Sequence, residues 1–297
     1  MDISIIMPVY NGERFLREAI ESVLNQQFDG TFELLISDDQ STDGTAAILA
    51  GYVAAQPDVI KVFYNLNNLG CSSNSISIAK QAKGKYFAFC DADDIWIDPL
   101  KLQKQFDFLE EKGDYDMVCA DAKIVDEYGT YMSDKASMPK NDKDIDIYTL
   151  IRQHGDVYNS SIMMRADFYK KMLDDCSWFE KQNCFFDTIW SWYAAKNSRL
   201  RYMDEPMIAF RSLTDSDSRS SDPIKSKQLE KKYYMMKLAF VISQHFDMDR
   251  SMDILLSEYD YFTEQNYRIG LDDGANKVRE SKSYKIGRFV TKFFKRK

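Results

Sequence analysis

Apolar and polar positions in the first half of the chain alternate between two periods. Ile3–Val9 (ISIIMPV) is a continuous apolar run of strand length, the pattern of a strand covered on both faces. Over Glu13–Gln27 the apolar residues Phe15, Leu16, Ala19, Ile20, Val23 and Leu24 fall on one helical stripe. The pair then recurs: Phe32–Ser37 as strand and Asp43–Ala55 as helix, Ile60–Tyr64 and Ser72–Ala82, Tyr86–Cys90 and Pro99–Glu111. Strand and helix alternating at this spacing predict an α/β fold with parallel strands joined by right-handed crossovers. The second half is more mixed. Met117–Ala120, Lys123–Val125 and Ser161–Met164 read as strands, about Asp187 to Lys196 as a helix, and Tyr202–Phe210 as extended. Ser212–Ser221 is a polar loop, and the chain beyond Pro223 is helical, which divides it into a main domain over 1–222 and a helical extension over 223–297.

Ligands of parallel sheets bind beyond the carboxyl ends of the strands. The residues that follow the first four strands are Tyr10-Asn11, Asp38-Asp39, Asn65–Asn68 and Asp91-Ala92-Asp93-Asp94, nearly all polar or acidic. Composition narrows the chemistry available there. A formal charge of −8 argues against a nucleic-acid partner, since phosphate contacts need a basic surface. Two histidines, His154 and His245, among 297 residues disfavour a His-rich zinc site and a Ser-His-Asp engine, and leave carboxylates as the available groups. The five cysteines, Cys71, Cys90, Cys119, Cys176 and Cys184, are scattered, as expected of reduced thiols in a cytoplasmic protein. Neither a signal peptide nor an apolar run of the roughly 20 residues that a membrane span needs is visible.

Asp91-Ala92-Asp93-Asp94 is the strongest chemical signal. Carboxylates one residue apart at a strand end can share a divalent cation, with hard oxygen ligands suiting Mg²⁺ or Mn²⁺. The plainer alternative is a solvated acidic turn ahead of the helix near Pro99. Three adjacent carboxylates repel one another unless a cation compensates them, which favours the functional reading. In Asp38-Asp39-Gln40-Ser41-Thr42-Asp43-Gly44-Thr45, Ser41 or Thr42 can cap the following helix, but capping does not need Asp38 and Asp39. A carboxylate there can accept a hydrogen bond from a base imide or a ribose hydroxyl, with Tyr10 supplying a ring beside it.

Together these segments resemble family 2 glycosyltransferases of the type A (GT-A) nucleotide-diphospho-sugar transferase fold. The resemblance runs from IIMPVYNGERFLREAIESVLNQQ through ELLISDDQSTDGT and NNLGCSSNSISIAKQAKGKYFAF to DADDIWIDPLKLQKQ. It implies a Rossmann-like mixed sheet flanked by helices. By position it assigns Pro8, Tyr10 and Asp39 to the base pocket with Asp38 beside them, and Asp91 and Asp93 to the metal and the donor's diphosphate and ribose. Asp94 is a further metal candidate. Asp187, in NCFFDTIWSW, falls where the family has the catalytic base, and Arg211, in IAFRS, matches an arginine near the diphosphate.

Two departures stand out. Phe186 occupies the place of the usual glutamate before the base, where an apolar neighbour would desolvate Asp187. Leu213 follows Arg211-Ser212 where many members carry a histidine on the metal or diphosphate; Asp215 or Asp217 are substitutes in reach of that role. The implied reaction is inverting transfer from a nucleotide-sugar, UDP- or dTDP-linked, to a hydroxyl of a glycan or lipid-linked acceptor in surface polysaccharide synthesis. The polar Ser212–Ser221 loop just after Arg211 reads either as a lid over bound donor or as a linker to the C-terminal helices. The ending SYKIGRFVTKFF also resembles bacterial cell-surface polysaccharide members. From Lys282 onward there are seven basic and no acidic residues, with Ile286, Phe289, Val290 and Phe293 on one helical stripe. That pattern suits an anionic membrane surface at the inner face of the cell membrane, or the acidic body of the chain itself. A Tyr- and Met-rich helix around Lys232–Val241 offers a homodimer contact.

Two other readings compete. A D-x-D phosphatase would use Asp91 as nucleophile, but leaves residues 1–89 unexplained. A non-catalytic sugar-nucleotide-binding subunit would account for Phe186 and Leu213. Dinucleotide-binding and P-loop readings fail, because no G-x-G and no G-x-x-x-x-G-K-(S/T) occurs, and Asp247–Asp253 lacks the glycine of a calcium loop.

Overall fold

The computed structural model describes residues 1–134, 144–147, 150, 157–176, 186–214 and 221–244. His154, His245, Cys184, Asp215, Asp217, most of the Ser212–Ser221 loop, the Asp247–Asp253 segment and the tail from Lys282 lie outside the described residues.

The apolar run Ile3–Val9 forms β1, and every one of its residues is buried. It lies between β2 (Phe32–Asp38) and β4 (Tyr86–Phe89), parallel to both, with Ile3 opposite Phe32 on one side and Tyr86 on the other. β3 (Ile60–Tyr64) continues the parallel half beyond β2. The crossovers are α1 (Leu16–Leu24), α2 (Thr45–Ala55) and α3 (Cys71–Ala79). On α1 the predicted stripe holds, with Leu16, Ala19, Ile20 and Val23 buried. The helix nonetheless starts later than its apolar pattern. The N–H groups of Asn11 and Glu13 donate instead to Ser41 and Asp43 side chains in the loop after β2, and that of Gly12 to Thr45 at the start of α2. Gly84 precedes β4 where a Cβ would lie 2.3 Å from the Ser4 nitrogen, so only glycine lets the strand approach β1 there.

The other half of the sheet mixes directions, so the sheet is Rossmann-like only on one side. With β5 (Ile95–Trp96), β6 (Met117–Val125), β8 (Met163–Arg165) and β9 (Leu200–Arg211), its order is β3-β2-β1-β4-β8-β6-β9-β5, and β7 (Tyr131–Asp134) pairs with β6. β8 (Met163–Arg165) runs antiparallel to β4 and to β6, whereas β9 (Leu200–Arg211) runs parallel to β6. Two short strands expected over Met117–Val125 are one strand, β6 (Met117–Val125), interrupted by bulges around Asp121. The buried Asp121 carboxylate accepts the Ala122 N–H, satisfying a donor that the bulge takes out of the ladder. β5 (Ile95–Trp96) is a two-residue strand on β9, too short for periodicity to reveal.

After α4 (Lys101–Glu111), α5 (Ala166–Asp175) and α6 (Phe186–Asn197) pack on β4 through aromatic rings. Tyr169 meets Phe87 at 5.4 Å, and Trp190 meets Phe89 at 4.5 Å between ring centroids. Trp190 is 1% exposed, and truncating a ring buried this deeply costs about 3–5 kcal/mol. Trp190 therefore fixes α6 against the last residue of β4. The chain forms two compact units, Met1–Leu229 and Glu230–Lys297, with α7 (Pro223–Ser243) running across the division. Among the described residues no helix is long and apolar enough to cross a membrane.

Candidate active site

The loops after β1 and β2 lock together before any ligand is considered. Asn11 adopts the left-handed region (φ 49°), its N–H donates to Ser41 Oγ at 2.8 Å, and its Oδ1 accepts the Thr42 N–H at 2.9 Å. Pro8 is buried opposite Ser37, and Tyr10, just past the strand, is 53% exposed. Tyr10 thus stands exposed just past the carboxyl end of β1.

Asp38 and Asp39 are both buried, with different partners. Asp38 Oδ1 accepts the Ser41 N–H at 3.0 Å. The Asp39 carboxylate accepts the N–H groups of Leu69 and Gly70 and the Asn65 amide, all at 2.8 to 3.0 Å. Gly70 sits at φ 80° at the start of α3. Asp39 therefore holds the turn into α3, and Asn65 passes the network on to Asn74 at 2.8 Å.

At the end of β4 the acidic run divides into two layers. Asp91 and Asp93 are half-buried, whereas Asp94 is 2% exposed. One Asp94 oxygen accepts the Arg211 N–H at 3.0 Å, and the other accepts Ser160 Oγ–H at 2.6 Å. Burial, then the charges of Asp93 and Asp91, push the Asp94 carboxyl well above the usual range. Burial likewise pushes the Cys90 thiol up. Asp91 is held from the side: its N–H donates to Ser160 Oγ at 2.9 Å, and its Oδ1 accepts Asn159 Nδ2–H at 2.7 Å. An acidic layer with its repulsion displayed this way fits a divalent cation. Among the described residues no three acidic, His or Cys side chains converge to enclose one, so a cation held by Asp91 and Asp93 would complete its shell with donor phosphates and water.

Asn159 and Ser160 are the residues that sequence reasoning missed. They lie in a 3₁₀ turn, Asn159–Ser161, just before β8. Because β8 is antiparallel to β4, with Ala88 opposite Met163, the segment before β8 lies beside the carboxyl end of β4. The signal was the polar Asn-Ser-Ser run directly ahead of an apolar strand. The turn is itself clamped by α4 and β5: Trp96 Nε1–H donates to the Ser160 carbonyl at 2.9 Å, and Gln105 Nε2–H donates to that of Ser161 at 2.8 Å. Behind them Lys101 is fully buried, 4.0 Å from the Trp96 ring centroid and 3.0 Å from Gln105 Oε1. Burial pushes its ammonium down to about 7.

Arg211 is buried, with its guanidinium engaged on every side. Nε–H donates to the Asp93 carbonyl at 3.0 Å, one terminal nitrogen to the Glu127 carbonyl at 3.2 Å, and the other to Glu18 Oε2 at 2.6 Å. It also lies 4.5 Å from the centroid of Phe15. This arginine ties α1, the β4 end and the β6–β7 turn together. Asp187 is half-buried in the first turn of α6, with Oδ1 accepting the Thr188 N–H at 2.8 Å. It stands one turn before Trp190, whose ring meets Phe89. Phe186 is turned inward, 5% exposed and 4.7 Å from Trp190 between ring centroids.

A half-parallel, half-mixed sheet with an acidic run at the end of its fourth strand is the GT-A glycosyltransferase fold. Solved structures share it. S. aureus TarS 1-349 in complex with UDP-GlcNAc has a TM-score of 0.70 at 21% identity, over 92% of this chain and 77% of that one. The mannosyltransferase PcManGT from Pyrobaculum calidifontis, in complex with GDP-Man and Mn²⁺, has a TM-score of 0.57 at 14% identity, over 96% and 82%. The model of glycosyl transferase family 2 matches residues 4–173, more than half of the chain, and the chain belongs to that family. The putative glycosyltransferase EpsE of Bacillus subtilis (strain 168) is 39% identical over 127 residues, 43% of this chain and 45% of that protein. The chain spans about half the length of the first curated relatives it matches. Membership accounts for residues 1–89, which a phosphatase reading left unexplained.

Proposed function

We propose that the chain transfers a sugar, with inversion, from a nucleotide-diphospho-sugar to a hydroxyl of a glycan or lipid-linked acceptor in surface polysaccharide synthesis. The observation that carries this reading is the split acidic run, half-buried Asp91 and Asp93 over a buried Asp94 and Arg211, with Asp187 one turn from the contact that seats α6 on β4. Tyr10 and Pro8 line the base side, with Asp38 and Asp39 shaping the adjoining loops and reaching the base or ribose. Asp91 and Asp93 hold Mn²⁺ or Mg²⁺, with Asp94 behind them as the remaining acidic candidate. When bound, the cation supplies charge compensation to the leaving diphosphate. Arg211 adds a fixed positive charge beneath the same site. Asp187 accepts the proton of the acceptor hydroxyl as that oxygen attacks the anomeric carbon. The complexes of TarS with UDP-GlcNAc and of PcManGT with GDP-Man and Mn²⁺ support donor and metal alike. A lid over residues 212–221, a membrane-facing tail from Lys282 and a homodimer contact around Lys232–Val241 belong to the same reading, at the inner face of the cell membrane.

The test is a panel of nucleotide-sugars with Mn²⁺, followed by product analysis with wild type and Asp187→Asn. The variant is expected to bind donor within about threefold of wild type and to lose transfer by at least about 10²-fold, the range of a general base. Transfer undiminished in Asp187→Asn removes the base assignment. The inward-turned Phe186 favours a second reading, a non-catalytic sugar-nucleotide-binding subunit. Donor binding without hydrolysis or transfer by the wild type, under any acceptor, would establish that one instead.

A further inference from the structure

The amide of Asn159 is only half used. Its side chain is 4% exposed, and Nδ2–H donates to Asp91 Oδ1 at 2.7 Å. A carboxylate oxygen only accepts, so the amide cannot be turned the other way round without losing this bond. Oδ1 is consequently committed to the opposite side. There it is buried and without a hydrogen-bond partner among the described residues. Buried carbonyl oxygens of this kind are rare, because leaving water without a replacement donor is costly.

Nothing in the turn lets Oδ1 relax onto a protein donor. Ser160 Oγ–H is spent on Asp94, and Ser161 Oγ–H donates to the Tyr158 carbonyl at 2.7 Å. The carbonyls of Ser160 and Ser161 are pinned by Trp96 and Gln105, so the backbone under Asn159 is fixed from below. A rigid turn thus holds an unspent acceptor, closed to solvent in the chain without ligand, on the same side chain that braces Asp91, at the end of β4 where the donor is read to bind. We propose that Asn159 is a specificity-determining residue, whose Oδ1 accepts a hydrogen bond from a hydroxyl of the bound nucleotide-sugar while its Nδ2 orients Asp91. The inference rests on the reading of this edge as the donor site. The hydroxyl belongs to the ribose or to the transferred sugar. Both share the chemistry of an O–H donor next to the diphosphate, and both reward a site built to hydrogen-bond them by discriminating against analogues that lack them.

The test is a binding cycle in protein and ligand, by calorimetry in Mn²⁺ with the full chain. UDP-GlcNAc and GDP-mannose are titrated first. Single-deoxy analogues of the one that binds follow, altered on the ribose or on the sugar, against wild type and Asn159→Leu. Wild type is expected to lose about tenfold in affinity for one deoxy analogue and under about twofold for the others. Asn159→Leu is expected to bind that analogue and its parent equally within about twofold. Which analogue is singled out assigns the hydroxyl to ribose or sugar. Wild type insensitive to every deoxygenation overturns the inference, and this arm needs no variant to fold. An equal penalty for every ligand, parent and deoxy, in Asn159→Leu reduces the residue to its contact with Asp91 and also overturns the acceptor role. If neither these two nor any other member of the nucleotide-sugar panel binds wild type, the donor-site reading itself fails, and the inference falls with it.

Discussion

Two acidic strand ends lie on the same edge of this sheet and do different work. At the end of β2, Asp38 and Asp39 are both buried, and their carboxylates accept backbone N–H groups from the loops around them. After β4, one carboxylate of three is buried and braced, while Asp91 and Asp93 stay half-buried at the surface of the cluster. The residue type is shared, and so is its place after a parallel strand. What separates the two ends is the supply of protein donors. The turn into α3 offers two amides and an asparagine to Asp39, whereas at the β4 end Asp94 accepts the Arg211 N–H and the Ser160 hydroxyl and Asp91 accepts the Asn159 amide. A carboxylate filled by backbone N–H groups builds the loops around the site, and the cation of the proposed function is assigned to the half-buried pair Asp91 and Asp93.

Several substitutions would break or sharpen this contrast. Asp94→Ala orphans the Arg211 N–H and the Ser160 hydroxyl together, and is expected to cost about 3 kcal/mol in urea unfolding. Asp93→Ala, one residue away, is expected to change stability by under about 0.5 kcal/mol and to abolish Mn²⁺-dependent donor binding. Equal stability losses at the two positions would erase the division into layers. Asp39→Ala releases the Leu69 and Gly70 amides, with an expected cost of about 2 kcal/mol and faster hydrogen exchange at those two amides. Unchanged exchange there would show that the turn holds itself.

The brace beneath the β4 end carries its own pH signature. The Lys101 ammonium has its folded-state pKa lowered from 10.5 to about 7, with burial the first cause. Between those values the unfolded chain binds a proton that the folded chain does not, so the lysine's contribution to stability rises with pH across that window. At and below pH 7 the full cost of burying the charge is present. Lys101→Met is therefore expected to gain most on wild type at or below pH 7, with its advantage shrinking toward pH 10. An advantage constant from pH 6 to 10 would show that Lys101 stays charged in the interior. A small effect, with no loss of donor binding, is expected at Glu18, which holds one arm of Arg211 but is itself 59% exposed in its side chain. Glu18→Gln is expected to cost less than about 1 kcal/mol by thermal unfolding.

The sequence by itself determined the parallel half. Ile3–Val9, Phe32–Asp38 and Ile60–Tyr64 are strands because continuous apolar runs of that length have nowhere else to bury both faces. The residues that follow them had to gather on one edge, and Tyr10, Asp38, Asp39, Asp91 and Asp93 could be named from order alone. The mixed half was less legible: β5 has two residues and β8 three, too few for a period, and the bulges in β6 hide one strand as two. Only the tertiary structure decided how the acidic residues divide their labour. That division depends on which donors arrive from far along the chain. Arg211 reaches Asp94 across 117 positions, and Asn159 reaches Asp91 across 68. The Asn159–Ser161 turn joins the site because β8 runs against β4, and strand direction follows from packing rather than from local pattern. Local periodicity tells a residue which face to bury, but the satisfaction of its polar atoms is settled by partners that only the folded chain brings near.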